Sequence, residues 1–161
     1  MKEGFRLRPA TLEDIPILVK HRRWMFDEIN IRQNYNYTAE SLHTMDTAYT
    51  LHLQEHLKAG SLYAWVVEKA GRVVASGAVS IVPWPALPGD SSQVASHLHS
   101  MFTDPEQRGK GLARQIVDTA IDFCKTRGIS WMMLAASDAG RPLYESMGFK
   151  PYDREMHLRF D

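Results

Sequence analysis

The stretch from Phe102 to Phe123 constrains the fold most. A short apolar run stops at Asp104-Pro105, a turn signal, and two glycines follow, Gly109 and Gly111, among Arg108, Lys110 and Arg114. Leu112, Ile116, Val117, Ala120, Phe123 and Cys124 then recur at helical spacing and predict one buried stripe. The segment reads strand, glycine turn, helix. The first N–H groups of a helix have no partner within it, and the dipole makes that end positive. Glycines there let a ligand approach the backbone, so the turn suits phosphate oxygens. A tight loop with a solvated lysine has the same spacing, and the turn alone does not separate the two.

The P-loop pattern and the dinucleotide G-x-G-x-x-G fingerprint are both absent. Arg108-Gly109-Lys110-Gly111-Leu112-Ala113 instead resembles the R-x-x-G-x-[GA] pyrophosphate loop of the GNAT superfamily of N-acetyltransferases, preceded by Pro-Glu as is common there. Ala136 to Phe149, with Gly140, Leu143-Tyr144-Glu145 and Gly148-Phe149, resembles a second block of that superfamily. The blocks stand in the family's order, with one helix and one strand between them, and cover about the C-terminal third of the chain.

The 161 residues suit one domain, 1–161, with one sizeable core. Nineteen acidic and nineteen basic residues balance, which gives no reason to expect a nucleic acid or an anionic membrane as partner. Cys124 is the only cysteine and lies on the helical stripe, so it reads as a small core residue rather than a nucleophile. With no signal-peptide pattern at Met1-Lys2-Glu3-Gly4 and no long apolar segment, a cytoplasmic protein is expected.

Along the chain, Phe5–Ala10 reads as an edge strand and Thr11 as an N-cap. Ile15, Leu18, Val19, Arg22, Met25, Phe26 and Ile29 follow helical spacing to about Ile31, and Asn34-Tyr35-Asn36-Tyr37 breaks the pattern. Thr38 caps a second helix that ends at Gly60. Leu62–Lys69 and Val73–Val82 form a hairpin, with Gly77 marking a bulge or a close approach. Pro83 to Asp90 is irregular; its Trp84 forms a substrate wall or a lid on the core. Val94–Thr103 is a strand with His97 and His99 on one face. Ile129–Ala135 suits a central strand, Gly140–Met147 a short helix, and Tyr152–Phe160 alternates and closes the sheet. The order β α α β β β α β α β matches the GNAT order, an α/β (α+β) fold with a mixed, mostly antiparallel sheet and helices on both faces.

The resemblance implies acetyl transfer from acetyl-coenzyme A to a primary amine. It places the pyrophosphate on Arg108, Gly109, Lys110, Gly111, Leu112, Ala113 and Arg114, and the pantetheine arm along Met101, Phe102 and Thr103. It makes Tyr144 the acid for the departing thiolate; without the motif, Tyr144 reads as a core-packing helix residue. Ser137 then binds the cofactor or orients Tyr144. For the base the residues leave His99, His97 and Glu28 open, with His99 nearest the glycine turn; histidine's ordinary pKa of about 6.5 suits the role. Glu28, Tyr35, Trp84 and His97 are candidates for the acceptor side, with Tyr37 and Trp24 as further wall aromatics. The histidine and cysteine spacing gives no metal site. The expected acceptor is a small or amino-acid-like amine. The alternatives are a protein amine or a non-catalytic acyl-coenzyme A-binding module, and a homodimer is possible.

Overall fold

The computed structural model describes residues 4–33, 35–153, 155–158 and 160. Met1–Glu3 of the N-terminus, Asn34 of the helix break, and Arg154 and Arg159 of the expected last strand lie outside them. The elements are β1 Phe5–Pro9, a 3-10 turn Leu12–Asp14, α1 Ile15–Gln33, α2 Ala39–Ala59, β2 Leu62–Lys69, β3 Arg72–Pro83 and β4 Val94–Thr103. A 3-10 turn Pro105–Gln107, α3 Leu112–Thr126, β5 Met132–Leu134 and α4 Arg141–Ser146 follow.

The predicted caps are in place. Thr11 Oγ1 accepts from the Glu13 N–H and Asp14 accepts from the Thr11 N–H, a reciprocal box. Thr38 caps α2 through the Ser41 N–H, and Gly60, at φ 68°, closes it in the left-handed region.

The sheet runs β1-β2-β3-β4-β5, antiparallel through β4 and parallel between β4 and β5. Period two sorts its side chains. Leu62, Ala64, Val66 and Ala78 face α1 and α2, meeting Ile15, Leu18, Tyr49 and Leu53. Trp65, Val67, Ala75, Val79 and Leu98 face α3, meeting Leu112, Ile116, Val117, Ala120 and Cys124. Cys124 is thus the core residue expected of it, and burial pushes its thiol pKa up. No helix among the described residues is long and apolar enough to cross a membrane.

One irregularity positions the site. Ser76 pairs with Phe102 and Ala78 with His99, so Ser100 and Met101 together oppose Gly77. This is a β-bulge in β4, with Ser100 at φ 55°. The bulge resets the alternation: His99 and Ser100 both turn toward α1 and α2, Met101 turns toward α3, and Phe102 returns to α1, against His21 at 4.7 Å. A Cβ on Gly77 would stand 2.2 Å from Met101 Sδ and 2.8 Å from Ile116 Cγ2. Gly77→Ala is therefore expected to cost about 1–3 kcal/mol by overpacking. Urea melts check it; an unchanged midpoint would mean that the bulge yields freely.

Two expectations need correction. The strand expected over 129–135 pairs only at Met132–Leu134, with Ser96–Leu98; the β4 bulge begins two residues later, at Ser100. The strand expected over 152–160 is absent among the described residues. Its apolar members Tyr152, Met156, Leu158 and Phe160 face solvent, and only Tyr152 meets an aromatic neighbour, edge-on to Trp131 at 5.6 Å. A period of two states which side chains share a face; it does not supply an edge to pair with or a layer to cover that face.

Candidate active site

Beyond Leu98 and Leu134, β4 and β5 no longer pair, so among the described residues His99 to Thr103 have no strand on that side. This open edge leads to the glycine turn. Gly109 and Gly111 sit at φ 73° and 80°, and a Cβ on either would project into open space. Gly111 is the N-cap of α3 and has no side chain to cap with; the first intrahelical bond is from the Gln115 N–H to Gly111 O. The N–H groups of Leu112, Ala113 and Arg114 are therefore left for a ligand. They border a hollow of about 330 Å³ lined by Thr103, Gln107, Arg108, Gly109, Gly111, Leu112, Ala113, Arg114 and Leu143. A dipole-positive helix end, two left-handed glycines and two arginines fit a pyrophosphate. Leu112 is a core side chain and Phe102 points to α1, so each could offer only its backbone.

The loop cations are held by the protein itself. Arg108 donates from Nε to Thr103 O at 3.0 Å and from a terminal nitrogen to Glu28 Oε1 at 2.5 Å. Glu28, a candidate base on sequence, is thereby the counter-ion of the loop. Lys110 folds back onto Glu106 O and Gln107 Oε1, at 3.0 and 2.7 Å. Arg114 reaches Ser146 Oγ on α4 at 2.5 Å, fastening α3 to the short helix that carries Tyr144.

Ser137 Oγ accepts from the Gly140 N–H at 3.2 Å, and Ser137 O accepts from Gly140 and Arg141 at the start of α4. Ser137 thus sets the helix that aims Tyr144. The Tyr144 ring packs edge-on to Phe149 at 5.8 Å, and its hydroxyl has no hydrogen-bond partner among the described residues. Burial raises the pKa of this phenol, which keeps its proton at neutral pH.

On the α1–α2 side, His97 and His99 share a face as predicted, their rings 5.5 Å apart. Both ring nitrogens of His99 are engaged, Nε2 with Ser80 Oγ at 2.8 Å and Nδ1 with Ser100 Oγ at 2.9 Å. Burial, then the charges of His97, Arg22 and His52, push its pKa down to about 3. His97 is lowered too, by burial first and then by Arg22, and its ring has no hydrogen-bond partner among the described residues. The expected aromatic wall divides along α1: Tyr35 stacks on Tyr37 at 5.5 Å and Phe26 meets Tyr37 at 5.8 Å, whereas Trp24 meets Phe102 at 5.6 Å. Half-buried Trp84 stands in neither group; its backbone N–H donates to Gln93 O.

Sequence reasoning missed Arg22, Tyr49 and Ser100. Arg22 donates to Ser100 Oγ at 2.7 Å and lies 4.6 Å from the Tyr49 ring centroid. The signal for Arg22 was present, a charge on the apolar stripe of α1. Its partners lie 27 and 78 residues away.

Comparison with known proteins bears on the family and the fold. The model of the Acetyltransferase (GNAT) family matches residues 25–149. A GCN5-related N-acetyltransferase from Ralstonia eutropha JMP134 is 27% identical and superposes with a TM-score of 0.87, over 98% of this chain and 99% of that one. A predicted acetyltransferase from Clostridium acetobutylicum, solved with acetyl-CoA, is 25% identical with a TM-score of 0.86, over 96% of each chain. The glucosamine 6-phosphate N-acetyltransferase of Trypanosoma brucei brucei is 28% identical over 91 residues, which span 56% of this chain and 60% of that enzyme. With a family match over more than half of its length, a mixed five-stranded sheet and the glycine turn at the head of α3, this chain belongs to the acetyltransferase (GNAT) family.

Proposed function

We propose that the protein transfers an acetyl group from acetyl-coenzyme A to a primary amine of a small molecule, by direct attack within a ternary complex. The observation that carries this reading is the uncapped N-terminus of α3 standing at the end of the open β4 edge. The backbone N–H groups of 111–114 hold the pyrophosphate, and Met101, Phe102 and Thr103 offer their backbone to the pantetheine arm. When bound, the thioester supplies an activated acyl carbon. An alkylamine, with a pKa of roughly 10, must lose a proton before it attacks. His97 is the base, directly or through one water, since its ring is neutral at pH 7 and free of protein partners. His99, with both nitrogens bonded to serines, holds the site's shape instead. The Met101 N–H, in the bulge, meets the charge developing on the acyl oxygen. As the C–S bond breaks, Tyr144 gives its proton to sulfur.

Calorimetric titration with acetyl-coenzyme A and free coenzyme A tests the cofactor assignment, since a ligand of the native state raises apparent stability. Both are expected to bind, and Gly111→Val, which forces a branched residue to φ 80°, is expected to weaken binding at least about tenfold. Absence of binding by the unmodified protein overturns the assignment. A homodimer joined through the last segment belongs to the same reading, supported by the exposed Met156, Leu158 and Phe160. A light-scattering mass of monomer only, at working concentration, removes it.

A further inference from the structure

Among the described residues Arg22 is a cation without a counter-ion. It projects from α1 into the space between α2 and β4, where its guanidinium lies against the rings of Tyr49 and Phe26 at 4.6 and 5.0 Å. One terminal nitrogen donates to Ser100 Oγ, a neutral acceptor. Its Nε is sealed from solvent and has no hydrogen-bond partner among the described residues. The nearby carboxylates of α1 and α2 serve other arginines: Asp27 and Asp46 pair with Arg23, and Glu28 pairs with Arg108. The remaining titratable groups around it are Tyr49 and His52 of α2 and His97 and His99 of β4. None of these carries a negative charge at neutral pH. Glu55 and Glu155 act on His52 and His97 from the periphery, and neither is within ion-pair distance of Arg22.

A half-buried charge left in this condition is unfavourable unless an anion completes it. Evolutionary neglect is a poor account of a guanidinium whose every neighbour is neutral or cationic, because a leucine at this place on the apolar stripe would pack at no electrostatic cost. The place is also specific. Ser100 is in the β4 bulge, next to Met101, so the arginine is anchored one residue from the backbone assigned to the acyl group.

We infer that Arg22 binds an anionic group on the acceptor, so that the substrate is a small molecule carrying a primary amine together with a carboxylate or a phosphate. This rests on the acetyl-transfer reading and narrows its substrate class. Arg22 is the specificity residue. Its planar fork takes two oxygens of an oxyanion, and Ser100 Oγ and the sealed Nε fix the direction from which they are met.

The test is thiol release from acetyl-coenzyme A with matched amine pairs that differ only in the anion. Amino acids against their amides form the carboxylate arm; glucosamine 6-phosphate against glucosamine forms the phosphate arm. For the unmodified protein kcat/KM is expected to fall at least about tenfold when the anion is removed in one arm, which identifies the group. In Arg22→Gln the kcat/KM ratio between the anionic and the neutral member should fall toward one, and Arg22→Lys should restore part of it. Equal rates for both members of every pair overturn the inference, as does an Arg22→Gln loss that is the same for both. If Arg22→Gln does not fold, the pair comparison on the unmodified protein decides alone. If no amine is acetylated, the transfer reading has failed. Calorimetry of the same pairs with coenzyme A bound then decides the anion site by itself: preference for the anionic member supports it and no preference overturns it.

Discussion

Replacing Tyr144 with phenylalanine is expected to lower turnover about a hundredfold while leaving acetyl-coenzyme A binding within about twofold, at the low end of what a general acid contributes. The loss is at the low end because a thiolate is a passable leaving group. The structure gives the variant a fair background. The ring packs on Phe149 and the core, the hydroxyl makes no hydrogen bond among the described residues, and the change removes one oxygen without opening a cavity. Stability should therefore change by less than about 1 kcal/mol. Rapid-quench or thiol-release kinetics with a competent amine, set beside calorimetric titration of the cofactor, separates the two readouts. A wild-type rate in Tyr144→Phe removes the tyrosine from the acid role. A wild-type protein that binds the cofactor and acetylates no amine would move the chain to the other reading its sequence allows, a module that binds acyl-coenzyme A without using it.

Ser137 gives a milder companion case. It fixes the first turn of α4 through Gly140 and Arg141, so Ser137→Ala should let the helix that carries Tyr144 drift. The expected result is a smaller fall in kcat, several-fold, with cofactor binding kept. An effect as large as that of Tyr144→Phe would point to direct contact of Ser137 with the reacting groups.

The parts of the site written in consecutive residues were legible in the sequence. The glycine turn, the helix behind it and the Leu143-Tyr144-Glu145 helix each consist of local signals, a left-handed glycine, an apolar stripe or a cap, that need no distant partner to be read. Gly77 was legible for the same reason, since a glycine inside a strand is unfavourable without a close neighbour, here Met101 and Ile116. What escaped depends on pairs far apart in the chain. The bulge that turns Ser100 toward α1 is a matter of register between β3 and β4. The capture of Arg108 by Glu28 joins residues 80 apart. His99 looked like the better base because it stands nearer the turn; its serine neighbours, one of them on β3, and the charge of Arg22 withdraw it, and those contacts exist only once three elements have packed. The last segment failed in the opposite sense. Its alternation was real, but alternation is a property of one strand, and a sheet is a property of two.

The same packed histidines give the protein a second large expected effect, a steep loss of stability in mild acid. His21 projects from α1 toward β3, 1% exposed, with Nδ1 2.8 Å from Ser76 Oγ and its ring against Phe102. Burial lowers its pKa to about 4, opposed by the charge of Asp104 and aided by that of Lys20. His99 is lowered to about 3, again by burial first. In the unfolded chain both titrate near the ordinary value of about 6.5. From that value downward the unfolded chain takes up protons that the folded one refuses, so the stability these groups contribute is complete above about pH 6.5. It declines as pH falls and stops changing on their account below their folded values. Between pH 8 and 5, above the range where most carboxylates titrate, each histidine withdraws about 2 kcal/mol. Together they remove a sizeable part of a net stability that is typically about 5–15 kcal/mol. Urea melts at pH 8, 6.5, 5.5 and 5 should show a flat upper range and then a fall of about 4 kcal/mol. In His21→Gln the starting stability should be lower and the fall about half as steep. Histidine NMR titration reads the cause directly. Ring signals of His21 and His99 that stay neutral down to pH 5 agree with the packing, whereas signals that titrate near 6.5 would mean that water or an anion reaches these rings and that the acid sensitivity has another source.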